Sequence, residues 1–113
     1  MAWYKVAETS DLSTPFLKKV TANGKTLCLV NADGKLFATS ATCPHAGADL
    51  SKGWCENGKL ICPFHRFAYD LETGKGNPGQ NDFVYTYPVE SRADGIYIKV
   101  GSWLEKVKKV FKG

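Results

Sequence analysis

The sequence predicts an antiparallel all-β domain. Turn signals recur about every 8–12 residues, and the runs between them are rich in β-branched and aromatic side chains. One of those turns is Asn23-Gly24, the strongest two-residue hairpin signal. The 113 residues are enough for one compact domain and too few for two ordinary ones. The expectation is therefore a single domain over 1–113.

Taken in order, 15–22 (PFLKKVTA) and 25–31 (KTLCLVN) read as strands flanking Asn23-Gly24. A strand over 35–41 (KLFATSA) follows the turn Ala32-Asp33-Gly34. Another over 59–63 (KLICP) follows Glu56-Asn57-Gly58. The run 67–71 (FAYDL) ends at Glu72-Thr73-Gly74. The runs 83–92 (FVYTYPVESR) and 96–100 (IYIKV) flank Ala93-Asp94-Gly95. Between them, 72–82 (ETGKGNPGQND) is rich in Gly, Asn and Pro and reads as a loop. The C-terminal segment 102–112 differs. Trp103, Leu104, Val107, Val110 and Phe111 fall on one face of a helix, and Lys106, Lys108, Lys109 and Lys112 lie mostly on the other. It reads as an amphipathic helix packed on the domain, or as a basic segment that docks on a partner or membrane surface.

Composition excludes several function classes. No apolar run is long enough for a transmembrane helix. The start, MAWYKVAETSDLS, lacks the pattern of a secretory signal, so the expected location is the cytoplasm. The net charge of +4 is modest, and the basic residues are scattered except at the C-terminus, so nucleic-acid binding is not expected. No glycine fingerprint for a nucleotide follows a strand.

The chemistry sits in two short stretches, ATCPHAG (41–47) and LICPFHRFAYD (60–70). Both histidines of the chain, His45 and His65, are in them. The pattern is Cys43-x-His45, sixteen residues, then Cys62-x-x-His65. Each arm offers a thiolate and an imidazole, donors suited to zinc, copper or iron–sulfur. A zinc finger usually pairs its cysteines in one arm and its histidines in the other. Mixed arms suit a binuclear site between two facing loops, with zinc as the other reading. Cys28 and Cys55 read as structural, small core side chains.

This pattern resembles the Rieske [2Fe–2S] family, whose signature is C-x-H followed by C-x-x-H. CPHAGADL and CPFHRFAYDLETGKG look like the two cluster loops of soluble Rieske-type ferredoxins, the ferredoxin components of oxygenase systems. The likeness runs from WYKVAETSDL to DGIYIKV. It implies antiparallel β-sheets with a cluster-binding subdomain, about 41–80, at one tip. It implies one [2Fe–2S] cluster per chain, with Cys43 and Cys62 on the buried iron and His45 and His65 on the outer iron. It also implies a proline-bearing loop, here Asn77-Pro78-Gly79, covering the cluster. Respiratory-type relatives carry a disulfide at positions that are Ala48 and Phe64 here. They carry a serine donor where this chain has Phe67. Both departures lower the expected potential, whereas Tyr69, a donor toward Cys43, raises it. The expectation is the low half of a family range of roughly −150 to +300 mV, with a measurable fall on Tyr69→Phe. Arg66 stands where the family commonly has glycine. It is expected to present positive charge beside the electron exit, or to pair with a carboxylate.

The resemblance implies a one-electron carrier between a reductase and a terminal oxygenase. The alternative is a small Rieske subunit of a larger redox enzyme, such as one like NAD(P)H nitrite reductase. With both histidines used as ligands, none remains for the mononuclear iron of an oxygenase. No catalytic site of its own is expected. The basic charge predicts an acidic docking face on the partner.

Overall fold

The computed structural model describes residues 2–44, 47–64, 66–80 and 82–101. The expected helix over 102–112 lies outside these described residues. Among the described residues the structure is built of short antiparallel strands in three sheets, joined by turns and two short 3-10 segments.

In chain order the strands are β1 (Ala2–Ala7), β2 (Phe16–Ala22), β3 (Lys25–Ala32), β4 (Lys35–Ser40), β5 (Trp54–Glu56), β6 (Lys59–Ile61), β7 (Ala68–Asp70), β8 (Thr86–Tyr87), β9 (Val89–Arg92) and β10 (Gly95–Val100). One sheet has the order β1-β10-β9 and the second β2-β3-β4-β8. The third, β5-β6-β7, carries the second Cys/His stretch between its last two strands. The β2–β3 hairpin turns at Asn23-Gly24, with φ of 51° and 73°. Two successive positive φ values match the twist of the flanking strands, which is why that dipeptide specifies the turn.

The strand β3 organises the core. Its side chains alternate between two faces. Leu27 and Leu29 enter one apolar cluster with Ala38, Ile96, Ile98 and Val100. Cys28 and Val30 enter another with Leu50, Leu60, Tyr69, Leu71 and Val84. Burial on both faces explains the unbroken apolar run LCLV, which a half-exposed strand would interrupt. The first cluster joins the β1-β10-β9 sheet to the β3 sheet. The second joins the β3 sheet to the small β5-β6-β7 sheet and holds Cys43 and Cys62. The buried Asn31 side chain donates to the Leu12 and Thr14 carbonyls and accepts from the Gly34 N–H, so its polar atoms are satisfied.

Three differences from the sequence reading have local causes. The run 83–92 is two strands in different sheets. Pro88, which has no N–H to donate, stands at the switch, and its carbonyl accepts from Lys99 N at 2.9 Å. β1 was not anticipated: its faces are only half-buried, and its partner β10 lies at the far end of the chain. β5 is three residues long, too short to show alternation.

Candidate metal centre

The first Cys/His loop leaves β4 and is closed by its own backbone. Leu50 N donates to Ala41 O at 2.8 Å, Cys43 N to Ala48 O at 2.8 Å, and Gly47 N to Cys43 O at 2.8 Å. Leu50 is fully buried and anchors the return. Asp49 fixes the same end. Its carboxylate accepts from the Ser51 N–H and hydroxyl, at 3.0 and 2.6 Å, and meets Lys19 Nζ of β2 at 2.6 Å. The Lys19 ammonium, then Ser51, hold the Asp49 carboxyl down at about 2. The second loop spans β6 and β7, and Cys62 N donates to Phe67 O at 2.7 Å across its base.

These closures bring Cys43 and Cys62 together. Both are buried free thiols in one apolar cluster, and their sulfurs are hydrogen-bond neighbours. The Phe64 N–H also donates to the Cys62 sulfur. Burial pushes the Cys62 thiol up, and Cys43 beside it adds to the rise. Two adjacent buried thiols become thiolates only with compensating positive charge, which a metal supplies. A soft, paired sulfur site with an N–H donor aimed at it fits an iron–sulfur group. His45 and His65 lie outside the described residues, so the two cysteines are the described half of the expected ligand set.

Around the sulfurs, Tyr69 is fully buried and its hydroxyl oxygen lies 3.3 Å from Cys43 Sγ. The same hydroxyl donates to Asp82 Oδ2 at 3.2 Å. Burial, then Cys43, push the Tyr69 phenol well above its usual value. Phe67 packs half-buried against the cysteine cluster. Pro78 is exposed in the turn closed by Gln80 N donating to Asn77 O at 3.0 Å. That loop docks through other residues. Asn77 N donates to Ala68 O at 3.1 Å, and the Gln80 amide both accepts from Ala68 N at 3.0 Å and donates to Ala68 O at 3.2 Å. Gln80 and Asp82 were missed in the sequence, because polar residues in a Gly/Pro-rich loop give no spacing signal.

Arg66 has φ of 59°, the left-handed region where glycine is easiest. Its guanidinium stacks 5.6 Å from the Trp54 ring centroid, where the sequence left a carboxylate partner open. The other two cysteines are structural in this arrangement. Cys28 is fully buried in β3, with its thiol pushed up to about 12 by burial, and Cys55 lies half-buried in β5.

Comparison with known proteins agrees with the geometry. The profile of the Rieske [2Fe-2S] domain matches residues 2–88. A ferredoxin component of naphthalene 1,2-dioxygenase/salicylate 5-hydroxylase systems from Ralstonia sp is 31% identical over 100 residues, covering 87% of this chain and 95% of that protein. A chain in the complex of reduced oxygenase and oxidized ferredoxin in carbazole 1,9a-dioxygenase superposes with a TM-score of 0.76 at 27% identity, covering 88% of this chain and 97% of that one. The ferredoxin of carbazole 1,9a-dioxygenase from Nocardioides aromaticivorans IC177 shares the fold, with a TM-score of 0.81 at 22% identity over 89% of this chain and all of that one. No helix among the described residues is long and apolar enough to cross a membrane.

Proposed function

The chain belongs to the Rieske [2Fe–2S] family, and we propose that it is a cytoplasmic one-electron carrier passing electrons from a reductase to a terminal oxygenase. In this reading Cys43 and Cys62 hold one iron of the cluster, and His45 and His65 hold the other. When bound, the cluster takes up one electron and releases it again. The observation that carries the reading is the pair of buried, adjacent free thiols of Cys43 and Cys62, each heading a loop that continues into a histidine. Relatives named as ferredoxin components support the carrier role over a catalytic one.

The residues of the chain divide the work. Leu50, Leu60 and Tyr69 bury the sulfurs and keep water from them. The Phe64 N–H draws negative charge from the Cys62 sulfur. Phe67 fills space without donating a hydrogen bond from its side chain. Arg66, stacked on the half-exposed Trp54, places a cation next to His65 in the sequence.

Charge governs docking. The net charge is +4, and the segment 102–113, with four lysines and one glutamate, carries +3 of it. The attraction toward an acidic partner is therefore concentrated at the C-terminal end. A reductive titration, followed by mixing with the oxidised terminal oxygenase of a naphthalene dioxygenase system, tests the function. The expected results are one electron per chain and reoxidation that depends on the oxygenase. Stable co-purification with a large reductase, without reoxidation by the oxygenase, would instead establish the bound-subunit alternative.

A further inference from the structure

The Tyr69 hydroxyl faces two acceptors with a single proton. Cys43 Sγ lies 3.3 Å from its oxygen and Asp82 Oδ2 lies 3.2 Å from it. A free thiol could donate to the phenol, but a metal-bound thiolate can only accept, and so can an ionised carboxylate. Both acceptors therefore compete for the same phenolic proton. At nearly equal distances the acceptors differ in strength: an ionised carboxylate oxygen is the stronger acceptor and sulfur the weaker one.

The carboxylate is also held in place. Its second oxygen, Oδ1, accepts from Gln80 Nε2 at 3.2 Å, and the same Gln80 amide clamps the backbone of Ala68, next to Tyr69 on β7. Asp82 O accepts from Gly76 N at 3.0 Å, and Tyr69 forms a bridge with Gly76. Acceptor and phenol are thus tied to the same strand and loop, so the competition is built into the fold.

We propose that Asp82 is a positioning residue that holds the Tyr69 hydroxyl proton away from Cys43 and thereby keeps the reduction potential low. This rests on the reading of Cys43 as a cluster ligand. It revises the expectation that Tyr69→Phe lowers the potential measurably. With its O–H donated to Asp82, Tyr69 withholds from Cys43 the hydrogen bond that would favour the reduced state.

A double-mutant cycle on the cluster-loaded protein tests this, with potentials measured by protein-film voltammetry for wild type, Tyr69→Phe, Asp82→Asn and the double variant. Asp82→Asn is expected to raise the potential. Tyr69→Phe is expected to shift it little in the wild type and severalfold further downward in the Asp82→Asn background, where the neutral amide oxygen is a weaker acceptor and the phenol can turn to sulfur. Equal Tyr69→Phe shifts in both backgrounds would overturn the proposal, because they would mean that Asp82 acts through its charge alone. An unchanged or lowered potential in Asp82→Asn would also overturn it. Asp82→Ala serves as a second background should Asp82→Asn fold poorly, with the same pattern expected. The visible spectrum separates the two readings. A wild-type chain that takes up no mixed-ligand cluster refutes the carrier reading and this inference together. Additive shifts in a loaded chain refute this inference alone.

Discussion

Replacing Gly74 by alanine should cost far more than replacing Gly24, although both glycines have left-handed backbones, with φ of 80° and 73°. The backbone cost is shared and is about 1–2 kcal/mol for an L-residue in that region. The surroundings differ. A Cβ on Gly24 meets nothing within 4 Å, whereas one on Gly74 would lie 2.1 Å from the Val84 carbonyl oxygen. Something must then move by roughly 1 Å to restore ordinary contact, and it cannot be a flexible side-chain tip. Val84 is buried in the cysteine cluster, and its N–H donates to Gly74 O at 2.8 Å. Forcing such a shift costs about 1–3 kcal/mol. Gly74→Ala is therefore expected to lose about 2–5 kcal/mol. Thermal melts of the loaded variants, followed by far-ultraviolet circular dichroism, should place Gly74→Ala at least about 4 °C below Gly24→Ala. Coincident midpoints would refute the close approach of residues 74 and 84, and with it the described path of the loop that brings Asp82 to Tyr69.

Three further outcomes follow from other parts of the molecule. Leu60→Ala empties a fully buried site in the cysteine cluster and should cost about 2–5 kcal/mol in denaturant unfolding, with earlier cluster loss. Asp49 has its carboxyl lowered from 3.8 to about 2 by Lys19 and Ser51. Its stabilisation is complete above pH 3.8 and disappears as pH falls through about 2. Asp49→Asn should thus melt below wild type at neutral pH, and acid titration of the melting point should show that gap closing across this window. A chain ending at Gly101 loses the +3 of its C-terminal segment. Stopped-flow electron transfer to an acidic partner should then slow at low salt and lose most of its salt dependence, with little change in reduction potential.

The fold was legible where local chemistry dictates backbone. Asn23-Gly24 announced its hairpin, Glu56-Asn57-Gly58 announced a turn though not the short strand β5 before it, and 25–31 read as a strand, whose burial on both faces only the packing shows. It was not legible where pairing is remote. β1 joins β10 across nearly the whole chain with only half-buried faces, and nothing local signals that partnership. The site divides the same way. Cys43 and Cys62 stood out because the C-x-H and C-x-x-H spacings are local patterns, and Tyr69 because it sits four residues beyond His65. Asp82 and Gln80 escaped notice because their roles arise only when the 72–82 loop folds back on β7. Arg66 looked anomalous as a residue type, and only its φ of 59° and its stacking on Trp54 show how the backbone and side chain are accommodated.

The proposed ligand set of Cys43, His45, Cys62 and His65 is tested most directly by pulsed electron paramagnetic resonance of the dithionite-reduced protein. The expected result is a reduced binuclear cluster with hyperfine couplings from two imidazole nitrogens, and loss of one coupling in His45→Cys or His65→Cys. A colourless protein, or a cluster without nitrogen coupling, would contradict it.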